Sequence, residues 1–311
     1  MALIKDTTIP ANKIAIAFCI NNAYAQHMAV TIVSILANNP FESFTFHVLH
    51  FDIDQQTERK IRALELKYPN HNIVFHKIDP SFYAGLEVPK ELAHITKETY
   101  LRFFIPDLLA ENSRAIYMDV DMICTGNLRA LWEYDLDGLP LSAVPEDCDS
   151  IGRRTRLGLT PEGTYYCAGL LVMDLNKLRK EGATQELCNI VKTRMHQISF
   201  ADQDAINILF DGRIAPLSPI YGNTKAYNPF RRDIRLWHFQ CQTRKPWCNI
   251  WKNGTWPIYL KYLLMSPYRH NALRFIIGHL KGFFFFKYTK KCTTRYLVCG
   301  IRVWRDKTIN K

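Results

Sequence analysis

The chain has 311 residues, 48% hydrophobic and 13% aromatic, which is enough apolar material for a full core and excludes a disordered chain. Its net charge of +11 comes from one end: residues 1–260 hold 28 Lys+Arg against 28 Asp+Glu, whereas residues 261–311 hold 12 basic residues against Asp306 alone. The neutral body carries no nucleic-acid motif, no apolar run of about 18 residues offers a membrane span, no secretory signal is visible, and nine cysteines without a C-x-x-C pair suit a reducing, cytoplasmic compartment.

In chain order, KIAIAFCI (Lys13–Ile20) reads as a strand, AVTIVSIL (Ala29–Leu36) as a helix and FTFHVLHF (Phe44–Phe51) as a strand. TERKIRALELKY (Thr57–Tyr68) reads as a helix and NIVFHKID (Asn72–Asp79) as a third strand. This is βαβαβ, and strands that are near-continuous apolar runs belong to a mostly parallel sheet covered on both faces. KETYLRFFIPDLLA (Lys97–Ala110) is helical, with Pro106 expected to kink or end it. AIYM, LSAV (Leu141–Val144), AGLLVMDL (Ala168–Leu175) and IRLWHF (Ile234–Phe239) follow as strands, with helices near Thr184–Gln197 and Asp202–Asp211. The reading is one α/β domain over residues 13–250 and a basic, aromatic-rich extension over 251–311. In that extension Leu273, Ile276, Ile277, Leu280 and Phe283 or Phe284 recur at helical spacing, with Arg274, Lys281 and Lys287 off the stripe. A basic amphipathic helix of this kind points to an anionic membrane surface, the alternative being a helix packed on its own domain.

Asp-x-Asp occurs five times: Asp52/Asp54, Asp119/Asp121, Asp135/Asp137, Asp147/Asp149 and Asp202/Asp204. Ligands bind beyond the carboxyl ends of strands in such sheets, which favours pairs that follow a strand. Asp135/Asp137 and Asp147/Asp149 read as turn residues, and Asp54 as the cap of the helix that begins just beyond it. Asp119/Asp121, closing AIYMDVD, remains. There is no Gly-x-Gly-x-x-Gly or Walker loop, so a nucleotide needs another grip. Carboxylates at i and i+2 of an extended segment point the same way, can share a divalent cation, and can through it hold a diphosphate.

AIYMDVDMICTGNLRALWEYDL resembles the nucleotide-sugar segment of retaining glycosyltransferases of family 8, especially bacterial lipopolysaccharide hexosyltransferases. IAIAFCINNAYAQHMAVTIVSIL, FADQDAINILF and LWHFQCQTRKPW resemble other segments of that family, spanning together roughly residues 13–250. The resemblance implies a GT-A-type nucleotide-sugar fold, with Asp119, Asp121 and His238 as ligands of Mn²⁺ or Mg²⁺. It places Asp119 also near the ribose or sugar, Lys245 on the diphosphate, Asn21 and Tyr24 on uracil, and Arg102 near the donor sugar. Asp202 is expected to orient the donor hexose and Gln203 to stabilise the cationic centre. The implied reaction moves an α-linked glucose or galactose from UDP-glucose or UDP-galactose to a lipopolysaccharide core or similar lipid-linked glycan. Gln203 is a poor nucleophile, so a front-face substitution is implied, in which the departing phosphate oxygen takes the acceptor's proton. The basic extension then places the enzyme on the inner face of the bacterial cytoplasmic membrane.

The chain departs from the family pattern at Cys167, where Asn is common, at Cys241, where Gly is common, and by one extra residue before Lys245. These departures keep open a catalytically impaired sugar-nucleotide or glycan-binding protein. A membrane-associated interaction protein with purely structural acids is a further alternative. His238, Cys241 and Cys248 form a partial zinc set without an evident fourth ligand.

Overall fold

The computed structural model describes residues 13–68, 70–89, 96–146, 150–223, 228, 230–240, 245–247, 255–284, 286–290, 293–298 and 301–307. Strands β1 (Ile14–Cys19), β2 (Phe44–His50), β3 (His71–Lys77), β4 (Arg114–Met118), β6 (Leu141–Pro145), β7 (Tyr166–Asp174) and β8 (Ile214–Pro216) form a seven-stranded sheet in the order β3-β2-β1-β4-β7-β6-β8. Pairings β1·β2, β2·β3, β1·β4 and β6·β8 are parallel, while β7 runs antiparallel to both β4 and β6. The expected βαβαβ start and the mostly parallel sheet are therefore both present. Side chains alternate across β1: Ile14, Ile16 and Phe18 enter one core with helix α1 (Ala25–Asn38), while Ala15 and Ala17 enter another with Tyr100, Leu101 and Phe103. Each fully buried Ile or Phe in such cores contributes roughly 1.5–3 kcal/mol.

From Met28 to Leu36 helix α1 is buried on every side and, apart from Thr31 and Ser34, apolar on every side. It lies between the main sheet and a second sheet of β5 (Met122–Cys124), β10 (Leu236–His238) and β9 (Tyr221–Asn223), and the C-terminal helix α9 (Trp256–Met265) packs on it as well. Tyr259 hydroxyl lies 2.7 Å from His27 Nδ1, and Asn38 donates to the Tyr262 hydroxyl at 2.8 Å. Tyr259, Tyr262, Leu263, Tyr268 and Ala272 thus complete the first core. Helix α2 (Gln55–Lys67) starts where expected, with the Asp54 carboxylate accepting from Thr57 N at 2.7 Å.

Two local expectations change. Lys97–Phe104 is a 3₁₀ helix, followed by the short α3 (Ile105–Leu108). Pro106 stands in the first turn of α3, where its missing N–H leaves no helical bond unmade, so it opens a helix instead of ending one. Short helices α4 (Arg129–Trp132), α5 (Ser150–Arg156) and α6 (Leu175–Lys180) lead to α7 (Ala183–Arg194) and α8 (Ala201–Leu209), both close to their expected bounds. The extension holds the expected helix, α10 (Asn271–Phe284), and also an antiparallel sheet of β11 (Phe286–Lys290), β12 (Thr293–Val298) and β13 (Ile301–Lys307) that sequence reading does not anticipate. In α10, Ala272 and Phe275 face the core, while Leu273, Ile276 and Ile277 are exposed. The side chains of Leu280, Phe283 and Phe284 fall outside the described part.

Candidate active site

The antiparallel β7 brings the site together. Its first residues lie at the edge where β1 and β4 end, and Asp119 N donates to Gly169 O at 2.8 Å. In the second sheet β10 pairs antiparallel with β5, His238 opposite Met122, and Phe239 N donates to Asp121 O at 3.0 Å. Two distant segments, the β4–β5 turn and the end of β10, therefore present Asp119, Asp121 and His238 to one point, with one ligand atom from each lying within 4.8 Å of the others. Helix α1 fixes the turn between the two acids: Thr31 Oγ1 lies 2.9 Å from Val120 O and 2.8 Å from Met122 O, and Ser34 Oγ accepts from Cys124 N at 2.9 Å. Two hydroxyl residues in the otherwise apolar run Met28–Leu36 are the sequence signal for this support.

His238 Nε2 is 3.3 Å from Asp121 Oδ1 and 3.6 Å from Asp119 Oδ2. Burial works against a charged imidazole, but the carboxylates of Asp121 and Asp119 outweigh it and hold His238 well above its usual pKa. Burial likewise works against the Asp121 carboxylate, yet His238 and Lys245 hold it well below the usual range. The three side chains fit a divalent cation on three counts. Their donor set is O,O,N, which suits Mn²⁺. Asp121 Oδ1 is buried and accepts no hydrogen bond. Gly169 leaves space that a Cβ would take, 2.8 Å from Asp119 Oδ2 and 3.0 Å from His238 Nε2. The Asp119 side chain is 29% exposed against 3% for His238, so the site opens on the Asp119 side.

Beside this group lies Arg102, buried on the 3₁₀ helix with its guanidinium 4.3 Å from the centre of the Tyr117 ring. It reaches Asp119 Oδ1 at 3.3 Å and Asp202 Oδ2 at 2.9 Å, and donates to Ala168 O at 2.8 Å. Tyr117 hydroxyl donates to Asp119 Oδ1 at 2.5 Å, and Thr99 hydroxyl to Asp202. Burial raises the Asp202 carboxyl to about 6, against the pull of Arg102 and the Thr99 bond. At the start of α8 the chain turns through Ala201 at φ 45°, a left-handed conformation that costs a residue with a Cβ on the order of 1 kcal/mol. The buried Asp204 carboxylate sustains that turn, accepting from Ser199 N, Phe200 N and the Tyr165 hydroxyl. The pair Asp202/Asp204 is thus split, one acid facing the site and the other bracing it. Gln203 Oε1 accepts from Ala168 N at 3.1 Å while its Nε2 donates to Glu146 at 2.9 Å, so its amide is oriented from both ends.

Lys245 Nζ lies 3.1 Å from Asp121 Oδ2, between the rings of Tyr24 (5.9 Å) and Trp247 (5.7 Å). Trp247 stacks on His27 with ring centres 3.6 Å apart. Burial, with Lys245 adding to it, pushes His27 down to about 3, so this ring is neutral. Asn21 stands just after β1, its side chain accepting from Ala23 N at 3.1 Å and reaching Thr96 Oγ1 at 3.5 Å. Cys167 Sγ lies behind the metal-facing side of His238, 3.9 Å from Nδ1, and accepts from Gly169 N at 3.4 Å and Gln240 Nε2 at 2.7 Å.

Asp54 caps α2, and Asp135 accepts from Asp137 N in a turn. Asp147/Asp149 and the zinc candidates Cys241 and Cys248 lie outside the described residues. Sequence reading missed Thr99, Tyr117 and Gly169, each of which acts on a named acid but carries no motif of its own.

The sequence profile described as Glycosyl transferase family 8 matches residues 15–251. The chain belongs to glycosyl transferase family 8. Among relatives of this family-8 chain, General stress protein A of Bacillus subtilis (strain 168) is 28% identical over 267 residues, covering 79% of the chain and 91% of that protein. The lipopolysaccharide 1,3-galactosyltransferase of Salmonella typhimurium is 25% identical over 283 residues, covering 85% and 81%. Two other matched relatives are longer, and the chain spans 64% and 33% of their length. A crystal structure of the galactosyltransferase LgtC, in complex with donor and acceptor sugar analogues, superposes with a TM-score of 0.70 at 23% identity, covering 81% of this chain and 96% of that one. This family-8 glycosyltransferase thus has the GT-A fold of that structure. Among the described residues no helix is long and apolar enough to cross a membrane.

Proposed function

We propose that the chain is a metal-dependent retaining hexosyltransferase that moves α-linked glucose or galactose from a UDP-sugar to a lipopolysaccharide core or similar lipid-linked glycan. The observation that carries this reading is the convergence of Asp119, Asp121 and His238 at the carboxyl edge of the sheet, directly beside the Arg102–Asp202 pair. Asp119, Asp121 and His238 would hold Mn²⁺ or Mg²⁺, which when bound supplies positive charge to the diphosphate leaving group. Lys245, within one side-chain length of those acids, adds an ammonium to the same leaving group. Asn21 and Tyr24 take the uracil ring past the end of β1. Arg102 holds Asp119 and Asp202 in fixed relation, and Asp202 accepts from a donor-sugar hydroxyl. Gln203, its amide held from both ends, presents a carbonyl dipole to the anomeric centre as positive charge develops there.

The lipid-linked acceptor is suggested by α10, whose exposed Leu273, Ile276 and Ile277 accompany Arg274 in the basic extension. An apolar stripe facing water beside basic residues favours an anionic membrane surface over packing on the protein's own domain. It would keep the enzyme peripheral on the inner face of the bacterial membrane.

The test is UDP release from UDP-glucose and from UDP-galactose, with and without Mn²⁺, for wild type and Asp121→Ala, with truncated lipopolysaccharide core as acceptor. The expected result is Mn²⁺-dependent turnover of one donor, lowered at least about 100-fold in the variant. Turnover that ignores both the metal and the substitution would overturn the metal assignment. Folded protein with no turnover of either donor would overturn the hexosyltransferase reading.

A further inference from the structure

Asp121 has a cationic group at each of its two oxygens: His238 Nε2 3.3 Å from Oδ1, and Lys245 Nζ 3.1 Å from Oδ2. The carboxylate is buried, so solvent does little to screen either partner. Of the two, His238 can offer a metal ion the lone pair of its imidazole. Lys245 does not, because an ammonium offers no lone pair at neutral pH, and its charge opposes any cation arriving at Asp121. Yet the ammonium sits on a flexible four-carbon stem, while the backbone two residues on is anchored by Trp247 stacked on His27. The charge can move although the segment's anchor stays.

We infer that Lys245 is the resident counter-ion of Asp121 in the unliganded enzyme, and that it couples metal binding to nucleotide binding. With no diphosphate present, the ammonium is held by Asp121 and lowers the site's affinity for a divalent cation. An arriving diphosphate offers it anionic oxygens, draws it off Asp121, and frees that carboxylate for the metal. The same side chain thus weakens the metal alone and ceases to do so once nucleotide is bound, so nucleotide strengthens metal binding and by reciprocity the metal strengthens nucleotide binding by the same factor. This inference rests on the metal site proposed above, and it predicts a sign that a purely supportive role for Lys245 does not: removing the positive charge tightens the metal when it binds alone.

The experiment titrates the full chain with Mn²⁺, following free Mn²⁺ by electron paramagnetic resonance, without nucleotide and at saturating UDP. Wild type, Lys245→Met, Lys245→Arg and Asp121→Ala are compared, and thermal melts establish that each is folded. Lys245→Met is expected to bind Mn²⁺ alone about three- to tenfold tighter than wild type. The factor by which UDP improves Mn²⁺ affinity should shrink by a similar amount, while Lys245→Arg keeps the wild-type pattern. Unchanged or weaker Mn²⁺ binding by folded Lys245→Met would overturn the inference and leave the metal site standing. Mn²⁺ binding that is absent from wild type, or undiminished in Asp121→Ala, would overturn both.

Discussion

Gly169 offers the sharpest test of the site's geometry. A Cβ added there falls well inside contact distance of His238 Cε1, 2.8 Å from Asp119 Oδ2 and 3.0 Å from His238 Nε2. Non-bonded heavy atoms settle at about 3.5 Å or more, so Oδ2 and Nε2 must each retreat by at least about 0.5 Å. Neither can do so cheaply. His238 is buried on a paired strand, and Asp119 is held by Arg102 and Tyr117. Metal–ligand distances tolerate only about 0.2 Å, so Gly169→Ala should weaken Mn²⁺ binding about 10- to 100-fold and lower metal-dependent turnover comparably. The overpacking should cost about 1–3 kcal/mol of stability, leaving the chain folded. Gly126→Ala is the control, since its Cβ crowds the Arg235 side chain away from the site. Mn²⁺ titration and initial rates at a metal concentration near the wild-type Kd would be measured for all three proteins. Wild-type metal affinity and turnover in Gly169→Ala would refute the claim that this glycine makes room for the ligands.

Three further outcomes follow from the same structure. Asp202, raised by burial to about 6, carries a proton in the folded state that the unfolded chain gives up near pH 4. Its stabilising share is therefore complete below pH 4 and lost as pH rises through 6, so from pH 4 to 7 Asp202→Asn should gain about 2–3 kcal/mol relative to wild type in urea unfolding. The variant should also lose the acidic limb of the activity profile near pH 6, and a limb that persists in it would assign that titration elsewhere. His47 is pushed down to about 3 by burial and then by His76, whose Nε2 lies 3.0 Å from its Nδ1. Its neutral form supports the fold fully above pH 6.5, and that support is lost as pH falls towards 3, by at most about 1.4 kcal/mol per pH unit. His47→Leu should therefore lose less stability than wild type between pH 7 and 5, and equal losses would exclude this histidine. Cosedimentation with phosphatidylglycerol vesicles should fall at least about tenfold when Leu273, Ile276 and Ile277 are all changed to Ser, and undiminished binding would remove α10 from the membrane contact.

The parts of this protein legible in its sequence are those set by local pattern. Apolar runs in alternation with amphipathic stretches mark β1 to β3 and their helices, and a strand that ends in Asp119 and Asp121 marks the acidic pair. His238 is a different matter, since nothing near it in sequence distinguishes it from a packed histidine, and only family resemblance singles it out. Its place beside Asp121 depends on the β5·β10 register, a pairing between segments more than a hundred residues apart. Cys167 is legible only as a departure. The structure adds that its sulfur turns towards His238 Nδ1. The docking of Tyr259 against His27 and Gln26 was equally invisible, because each residue taken alone looks like ordinary amphipathic helix surface.

That docking has a consequence for synthesis. The polypeptide reaches α1 early, yet the helix covering its outer side carries Tyr259, 233 residues after Gln26. At about 5–20 residues per second, roughly 10–50 s of elongation separate the two. During that interval an apolar helix leaves the ribosome without its final partner, so newly made chains should depend on holding chaperones more than finished ones do. For the same reason, a chain cut before Trp256 should be lost from cells through aggregation of its first helix, although the cut leaves Asp119, Asp121, His238 and Lys245 in place.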